Sequence, residues 1–311
     1  MELIRGYHNL RPRHRGCVAT IGNFDGVHLG HQTVLGQLSE KAAELGVPSG
    51  VISVEPYPME FFAPDKAPAR LTRLREKIRA LTRYAVDRML CLRFDAEFAA
   101  QTPEEFIERV LIEGLDVRYL VVGDDFRFGK DRRGDFALLR KAGEQHGFQV
   151  VNLHTFAIDG ERVSSTRVRE ALAAGDMGRA EQLLGRPYRM CGRVAHGDKR
   201  GRTIGFPTAN IHLHRTNTPI KGVFAVEMFG IEGEPVQGVA NIGTRPTVDG
   251  VRSLLEVHLF DFDADIYGRN VSAEFVHRLR DEQKFASFEE LRKQIDKDAN
   301  AARAFFAQRD K

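Results

Sequence analysis

Two histidines, His28 and His31, stand three residues apart in a glycine-rich stretch that begins at Gly22. The stretch lies between an apolar run, residues 18–21, and a pattern typical of a helix. A turn from strand to helix exposes backbone N–H groups, and the helix start adds partial positive charge. Imidazoles on one side of the first helical turn can donate hydrogen bonds to phosphate oxygens. The stretch therefore favours the handling of nucleotide phosphates.

Two other interpretations of the histidine pair stay open. A zinc-protease helix needs four-residue spacing and an intervening glutamate, and this pair has neither. The pair can also belong to an ordinary surface helix start. The other candidate ligand contacts of the stretch are its glycines, its aromatic ring and its carboxylate: Gly22, Phe24, Asp25, Gly26 and Gly30.

A second loop follows the apolar run at residues 119–122, and its candidate contacts are Asp125, Phe128 and Gly129. Glycines, aromatic rings and neighbouring cations can together hold an adenine ring and its phosphates. An ordinary solvated loop has similar residues, so this interpretation stays open as well.

A third stretch combines the capping residues Ser164, Ser165 and Thr166 with Arg169. Serine and threonine before a helical pattern cap the helix, and taken alone the stretch is a cap. An arginine three residues after Thr166 also allows the cap to bind a phosphate.

In the second half of the chain, Thr208 and Asn210 offer the hard oxygen atoms that Mg²⁺ prefers. They close a glycine-containing segment whose other candidate contacts are Gly205, Phe206 and Pro207. Glycine lets the backbone approach a ligand closely. The segment is not a Walker loop, because no Gly-Lys-Ser/Thr follows the required spacing. A structural turn is an equally good interpretation.

A later strand pattern carries Glu256 on the face opposite three apolar residues, together with His258 and Phe260. If that face lines a pocket, Glu256 is a candidate general base. A strand glutamate is more often simply solvated, so both interpretations are kept.

The first half of the chain alternates strand and helix patterns, which predicts a parallel sheet with helices on both faces. Ligands of such sheets bind at the carboxyl ends of the strands, where the loops described above begin. The predicted strands are residues 18–21, 50–54, 88–94, 119–123 and 149–154, and the predicted helices are residues 31–45, 70–85, 103–113 and 134–146.

Two more helical patterns end at the break Gly185-Arg186-Pro187, after which strand patterns predominate. We therefore predict an α/β domain over residues 1–185 and a second domain over residues 186–311, a small antiparallel barrel or sandwich. The predicted elements are helices at 166–173 and 176–184, strands at 188–195, 223–229, 236–242, 253–260 and 271–279, and a last helix at 287–308.

Composition excludes several classes of protein. The net charge of +3 is too small to argue for a nucleic-acid partner. No apolar run approaches the length of a membrane span, and the N-terminal residues lack the apolar core of a secretory signal. Three widely spaced cysteines form neither a disulfide framework nor a zinc set, which favours a cytoplasmic protein.

Three stretches of the first half resemble the adenylyltransferase module of bacterial bifunctional riboflavin kinase/FAD synthetases. They are Gly-x-Phe-Asp-Gly-x-His-x-Gly-His from Gly22, Gly-x-Asp-Phe-x-Phe-Gly from Gly123 and Ser-Ser-Thr-x-x-Arg from Ser164. The Pro-Thr-Ala-Asn motif at residues 207–210 and the strand of Glu256 look like the riboflavin kinase module. The resemblance covers nearly the whole chain. It implies a Rossmann-like domain followed by a six-stranded β-barrel with a C-terminal helix.

The resemblance also implies two reactions with the small-molecule substrates ATP, riboflavin and FMN. The second domain would phosphorylate riboflavin to FMN, and the first would join the AMP part of ATP to FMN and release pyrophosphate. His28 and His31 would steady the ATP phosphates, assisted by Arg169 and by Mg²⁺.

In the kinase module, the resemblance implies that Thr208 and Asn210 hold the Mg²⁺–nucleotide. It also implies that Glu256 accepts the proton of the ribityl hydroxyl. Asn241 would lie in a mobile flap near the flavin, and Arg278 in a supporting binding segment.

The chain departs from the family pattern at two positions. Tyr57 stands where many relatives have histidine, so its loop is either a flavin contact or a packed surface loop. Phe224 replaces a tyrosine and should keep the ring contacts.

Two other functions stay open: a single-activity FMN adenylyltransferase with a degenerate kinase domain, and a regulator that binds flavin or nucleotide.

Overall fold

The computed structural model describes residues 1–123, 125–153, 156–195, 206–215, 217–231, 233–247 and 250–309. The chain divides into two compact units, which are described separately. The first consists of Met1–Pro68 and Thr72–Ser164, and the second of Ala69–Leu71 and Ser165–Lys311. In the described part of the chain, no helix has the length and apolar character that crossing a membrane requires.

A parallel sheet forms the centre of the first unit, as predicted, and it has six strands instead of the five predicted. The strands are β1 (Glu2–Arg5), β2 (Cys17–Ile21), β3 (Ser49–Glu55), β4 (Arg88–Arg93), β5 (Val117–Gly123) and β6 (Gln149–Leu153). Their order across the sheet is β1-β4-β3-β2-β5-β6, and every neighbouring pair is parallel. The edge strand β1 is the one the sequence patterns missed.

Helices cover both faces of this sheet. They are α1 (Leu29–Leu45), α2 (Pro58–Phe62), α3 (Leu74–Arg83), α4 (Ala96–Ala100), α5 (Pro103–Phe106), which continues as a π-type segment over Ile107–Ile112, and α6 (Phe136–His146). Val18 of β2 packs with Leu35 and Leu81 on one face, whereas Ala19 joins the cluster of Leu139 on the other. A two-stranded hairpin, β7 (Ala157–Ile158) with β8 (Glu161–Arg162), follows β6.

The second unit is built around a closed antiparallel barrel. Of the two folds that the sequence left open, the barrel is therefore the one found and the sandwich is not. Its strands are β9 (Tyr188–Ala195), β10 (Ala209–His212), β11 (Gly222–Phe229), β12 (Val236–Thr247), β13 (Gly250–Leu259) and β14 (Asn270–Arg280). Their order is β10-β13-β12-β11-β14-β9, and β9 pairs with β10 to close the ring. The short strand β10 was not predicted.

Among the residues that the structure describes, the second unit also has three helices: α7 (Ser165–Ala174), α8 (Met177–Leu184) and α9 (Phe288–Arg309). The C-terminal helix α9 packs on the barrel through Ala302 and Phe306, which join Val239 and Phe260 in one apolar cluster. Burial of this apolar surface holds the helix in place.

Ala69–Leu71, a segment from early in the chain, belongs to the second unit. Its three successive carbonyl groups accept hydrogen bonds from Arg169 Nε at 2.6 Å, Arg215 Nη1 at 2.7 Å and the Tyr188 hydroxyl at 3.1 Å. The side chain of Leu71 is fully buried. We call these three residues the inserted segment.

Candidate active sites

The two histidines lie at the centre of the parallel sheet's carboxyl edge. Strand β2 lies between β3 and β5, so successive crossovers run outward from it in both directions. A sheet of this kind opens a ligand crevice at that point. Residues 22–31, which we call the histidine loop, follow β2 directly.

His28 is the N-cap of α1, which begins at Leu29, two residues earlier than predicted. Its Nδ1 accepts a hydrogen bond from the backbone N–H of His31 at 3.4 Å. The two imidazole rings stack with their centroids 3.7 Å apart, and the Phe24 ring lies 4.8 Å from that of His31. The structure therefore brings both predicted histidines together at a helix N-terminus.

Burial lowers the pKa of His31 well below its ordinary value, and the nearby charges of His28, Lys77 and Arg162 lower it further. The ring is consequently neutral at physiological pH, with one donor and one acceptor nitrogen. Its Nδ1 atom is buried and has no hydrogen-bond partner in the described part of the chain. A ligand oxygen or water can satisfy it.

The buried carboxylate of Asp25 fixes the histidine loop through its hydrogen bonds. Its Oδ1 accepts from the Thr72 backbone N–H at 2.9 Å and hydroxyl at 3.1 Å, and from the Tyr57 hydroxyl at 3.3 Å. The Gly26 N–H in turn donates to the Thr72 hydroxyl oxygen at 3.0 Å. Gly26 has a φ of 83°, a conformation that favours glycine.

The other two glycines of the loop are close to neighbouring groups. A Cβ at Gly22 would lie 3.1 Å from the Phe24 ring, and one at Gly30 would lie 3.3 Å from both the His28 ring and the carbonyl oxygen of Val163. Val163 directly precedes Ser164, so the third predicted stretch begins beside the histidine loop.

The second predicted loop is also packed at this edge. Asp125 pairs with Arg162 at 2.9 Å, and this hydrogen bond lowers the pKa of the carboxyl group. Phe128 exchanges backbone hydrogen bonds with Gly134, and a Cβ at Gly129 would lie 2.7 Å from Pro103. Gly129 therefore allows the loop to approach α5 closely.

Aromatic rings form a continuous line along the same edge, which we call the aromatic row. Successive rings lie 5.2–6.1 Å apart between centroids, and its members are Phe61, Phe62, Phe94, Phe98, Phe106 and Phe128. Phe62 is 65% exposed, whereas Phe128 is nearly buried. Tyr57, whose role the sequence left open, is buried beside this row rather than at the surface.

The Ser-Ser-Thr-x-x-Arg stretch spans the division between the units. Ser164 is the last residue of the first unit, whereas Ser165 and Thr166 open α7 in the second. Arg169 lies one turn further along α7, and its Nε donates to the first carbonyl of the inserted segment.

In the barrel, strand register joins three predicted residues. Glu256 of β13 lies directly opposite Asn210 of β10 on one side and Asn241 of β12 on the other. Directly paired residues point to the same face of a sheet. All three are half-buried, while Leu255 and Val257 fill the interior. We call Asn210, Glu256 and Asn241 the polar row.

A segment beside the polar row carries the other oxygen ligands. The Asn210 amide donates to the Thr208 carbonyl at 3.5 Å, which leaves the amide oxygen as an acceptor. His258 Nδ1 lies 3.0 Å from the carbonyl oxygen of Pro207, and its ring meets Phe206 edge-on at 5.1 Å. This contact of His258 was not predicted. Gly205 lies outside the described residues.

Arg278 and Phe224 are neighbours across β14 and β11. The Arg278 guanidinium pairs with Asp281. It also donates a hydrogen bond at 3.4 Å to the carbonyl oxygen of Ala174, which is the last residue of α7. Phe224 is fully buried against Phe275, with the ring centroids 5.5 Å apart. The ring contacts expected of Phe224 are therefore contacts with the barrel interior.

The donor set fits a divalent cation that arrives with a nucleotide. Among the described residues, no group of three or more His, Cys, Asp and Glu side chains is placed to hold a metal ion. The hydroxyl, amide and carboxylate oxygens of Thr208, Asn210 and Glu256 are hard ligands. Mg²⁺ is commonly held by a few such oxygens together with substrate phosphates.

Comparison with known proteins gives the family. The family model for FAD synthetase matches residues 10–167, and that for riboflavin kinase matches residues 184–306. The chain is 54% identical to the bifunctional riboflavin kinase/FMN adenylyltransferase of Escherichia coli K12 over 98% of both chains. It is 54% identical to that of Haemophilus influenzae over 98% of this chain and 99% of the relative.

A crystal structure described as a macrolide-efflux protein from Streptococcus pneumoniae has the same fold over nearly its whole length. The TM-score is 0.81 at 31% identity, covering 97% of this chain and 99% of the other. Together with the two family models and the full-length relatives, the geometry leads to one conclusion. The chain belongs to the family of bifunctional riboflavin kinase/FMN adenylyltransferases.

Proposed function

We propose that this riboflavin kinase and FMN adenylyltransferase uses two separate sites, the histidine loop for adenylyl transfer and the polar row for phosphorylation. The observation that carries the first assignment is the stacked imidazole pair at the N-terminus of α1. The observation that carries the second is the register that sets Glu256 between two asparagines.

At the histidine loop, His28 and His31 hold the phosphates of ATP while the FMN phosphate attacks the α-phosphorus in line. Because His31 is neutral, it stabilises the phosphates by hydrogen bonding rather than by full charge. Arg169 adds positive charge, and the backbone groups of the loop complete the cradle. No covalent nucleophile is needed, since positioning and charge stabilisation lower the barrier.

The remaining predicted residues shape the pocket of the histidine loop. The flavin ring lies against the exposed end of the aromatic row, where an aromatic surface can stack on it. The supporting residues of this site are Gly22, Phe24, Asp25, Gly26, Gly30, Asp125, Phe128, Gly129, Ser164, Ser165 and Thr166.

At the polar row, Glu256 accepts the proton of the ribityl hydroxyl as that oxygen attacks the γ-phosphorus of ATP. Thr208 and Asn210 hold the nucleotide with its metal ion, which neutralises charge on the phosphates. We propose Mg²⁺ as that ion because Thr208 and Asn210 offer oxygen ligands, which Mg²⁺ prefers. Phe206 and Pro207 shape the segment, and Asn241 and Arg278 assist binding.

We further propose a cytoplasmic location and only small-molecule substrates as partners. The three cysteines, all among the described residues, form no disulfide, which suits a reducing compartment. We also keep the functional division near residue 185. The riboflavin kinase model begins at residue 184, although α7 and α8 pack within the second unit.

Separation of the two activities tests the proposal. Purified protein is incubated with ATP, Mg²⁺ and either riboflavin or FMN, and the flavins are separated by chromatography. His28→Ala and His31→Ala should abolish FAD formation from FMN and leave FMN formation from riboflavin. Glu256→Ala should do the reverse.

Four outcomes would contradict parts of this proposal. Loss of both activities together in folded variants would refute the two-site assignment. FAD formation without FMN formation by the unaltered protein would favour a degenerate kinase domain, and neither product would favour a regulator. Full activity with Mn²⁺ alone after chelation would refute the choice of Mg²⁺.

A further inference from the structure

A charged side chain is buried in the first unit without a role in the chemistry described so far. Lys77 of α3 is completely buried. Its Nζ lies 3.1 Å from Glu55 Oε1, 3.3 Å from Ser53 Oγ and 4.6 Å from the centroid of the Tyr57 ring. Burial of an ammonium group is costly even when it is paired. A methionine would fill similar volume without that cost, so core packing alone does not account for a lysine.

The contacts of Lys77 lead directly to the histidine loop. The ring that its ammonium faces belongs to Tyr57, whose hydroxyl donates to Asp25 at 3.3 Å. Asp25 also accepts two hydrogen bonds from Thr72, which in turn accepts from the N–H of Gly26. Every side chain along this path is at least nine-tenths buried.

We propose that Lys77 is a positioning residue for adenylyl transfer, acting through Tyr57 and Asp25 on the loop that carries the paired histidines. The ammonium group attracts the negative face of the tyrosine ring and fixes its orientation. The ring in turn aims its hydroxyl at the Asp25 carboxylate. The inference rests on the proposed assignment of adenylyl transfer to the histidine loop.

The surroundings of His31 give independent support. Groups on three elements lower the pKa of its ring electrostatically, in addition to burial: His28 at the start of α1, Lys77 on α3 and Arg162 on β8, which is paired with Asp125. Glu55 on β3 balances the charge of Lys77. Lys77 therefore contributes to the lowered pKa of His31 and keeps its ring neutral.

The test replaces Lys77 with methionine and measures both reactions in the full-length protein. Adenylylation of FMN should fall about 10- to 100-fold in kcat, the usual cost of slightly misplaced reacting groups. Riboflavin phosphorylation should be unchanged. The acid limb of the adenylylation pH profile should move to higher pH, because His31 loses one of the charges that depress its pKa. Simple structural damage would instead lower the rate equally at every pH.

Two further variants separate positioning from stability. Arg79→Met removes an exposed charge from the same helix and should leave both activities unchanged. Lys77→Met combined with Glu55→Gln removes both charges of the ion pair, of which Glu55 is the half-buried member, so thermal stability should recover relative to Lys77→Met alone. Adenylylation should not recover, because the Tyr57 ring still lacks its ammonium partner.

The proposal is overturned if folded Lys77→Met adenylylates FMN within about twofold of the unaltered protein with the same pH profile. If Lys77→Met does not fold, Tyr57→Phe decides, since it removes only the hydroxyl that reaches Asp25. A wild-type kcat for Tyr57→Phe would then overturn it. Failure of His31→Ala to impair adenylylation would instead count against the assignment of the histidine loop.

Discussion

Thr72 tests whether the histidine loop works because it is held rigid. Thr72→Val keeps the shape of the side chain and removes its hydroxyl. Two hydrogen bonds are lost, the one to Asp25 at 3.1 Å and the one from the Gly26 N–H at 3.0 Å. A buried N–H left without a partner costs about 1–3 kcal/mol, and a lost hydrogen bond to a charged group about 1.5–3 kcal/mol.

Asp25 keeps the Thr72 backbone N–H and the Tyr57 hydroxyl, so the lower part of these ranges applies, a total of about 2.5–4 kcal/mol. If this whole loss disorders the loop, FAD formation falls about 60- to 700-fold, since 1.4 kcal/mol is a factor of ten. The assay is the initial rate of FAD formation from FMN, with riboflavin phosphorylation as the internal reference.

A matched substitution is available on α3. Thr82→Val removes an exposed hydroxyl that donates to the Ile78 carbonyl at 2.9 Å, and it should change stability by no more than about 0.5 kcal/mol. A folded Thr72→Val protein with a lower Tm and an unaltered FAD rate would refute the reasoning. The two hydrogen bonds would then stabilise the unit without positioning the loop.

Three further predictions concern pH, the kinase site and stability. Stability should fall as the pH drops below 6.5. The reason is that His31 takes up a proton there in the unfolded chain, whereas its pKa in the folded chain is well below that value. His31→Gln should therefore flatten the dependence of Tm on pH. His258→Leu should raise the KM for ATP in the kinase reaction, and His258→Asn should restore it because its amide can donate to the Pro207 carbonyl in place of Nδ1. Asp298→Ala should cost about 2–3 kcal/mol in unfolding free energy, measured by denaturant titration, since the half-buried guanidinium of Arg280 loses its carboxylate partner and keeps the Asp281 carbonyl.

Local patterns predicted most of the architecture. Five strands of the parallel sheet and five of the barrel follow from apolar runs and turn residues, because these signals lie within a few neighbouring residues. Strand β1 was missed since only two apolar residues stand between Glu2 and Arg5. Strand β10 was missed because Pro207 and the glycines before it indicate a turn, and only pairing with β9 and β13 makes the residues after it a strand.

The sites were predicted less completely, for a related reason. The spacing of His28 and His31 is local, so their meeting at a helix start was predictable. The polar row depends on pairing between residues 46 and 15 positions apart, which no local pattern encodes. Lys77 was missed because it lies among charged residues of a helix, where a lysine is normally solvated. Its burial depends on how α3 packs over β3.

The inserted segment has a practical consequence for dividing this protein. The polypeptide passes from one unit to the other after Pro68, again after Leu71 and a third time after Ser164. A gene fragment that starts at residue 165 or 186 lacks Ala69–Leu71, so Arg215 and Tyr188 lose their carbonyl acceptors and the slot of Leu71 is emptied. A single cut in the chain therefore cannot separate the two units intact. Adding a peptide that carries those three residues should stabilise an isolated kinase fragment.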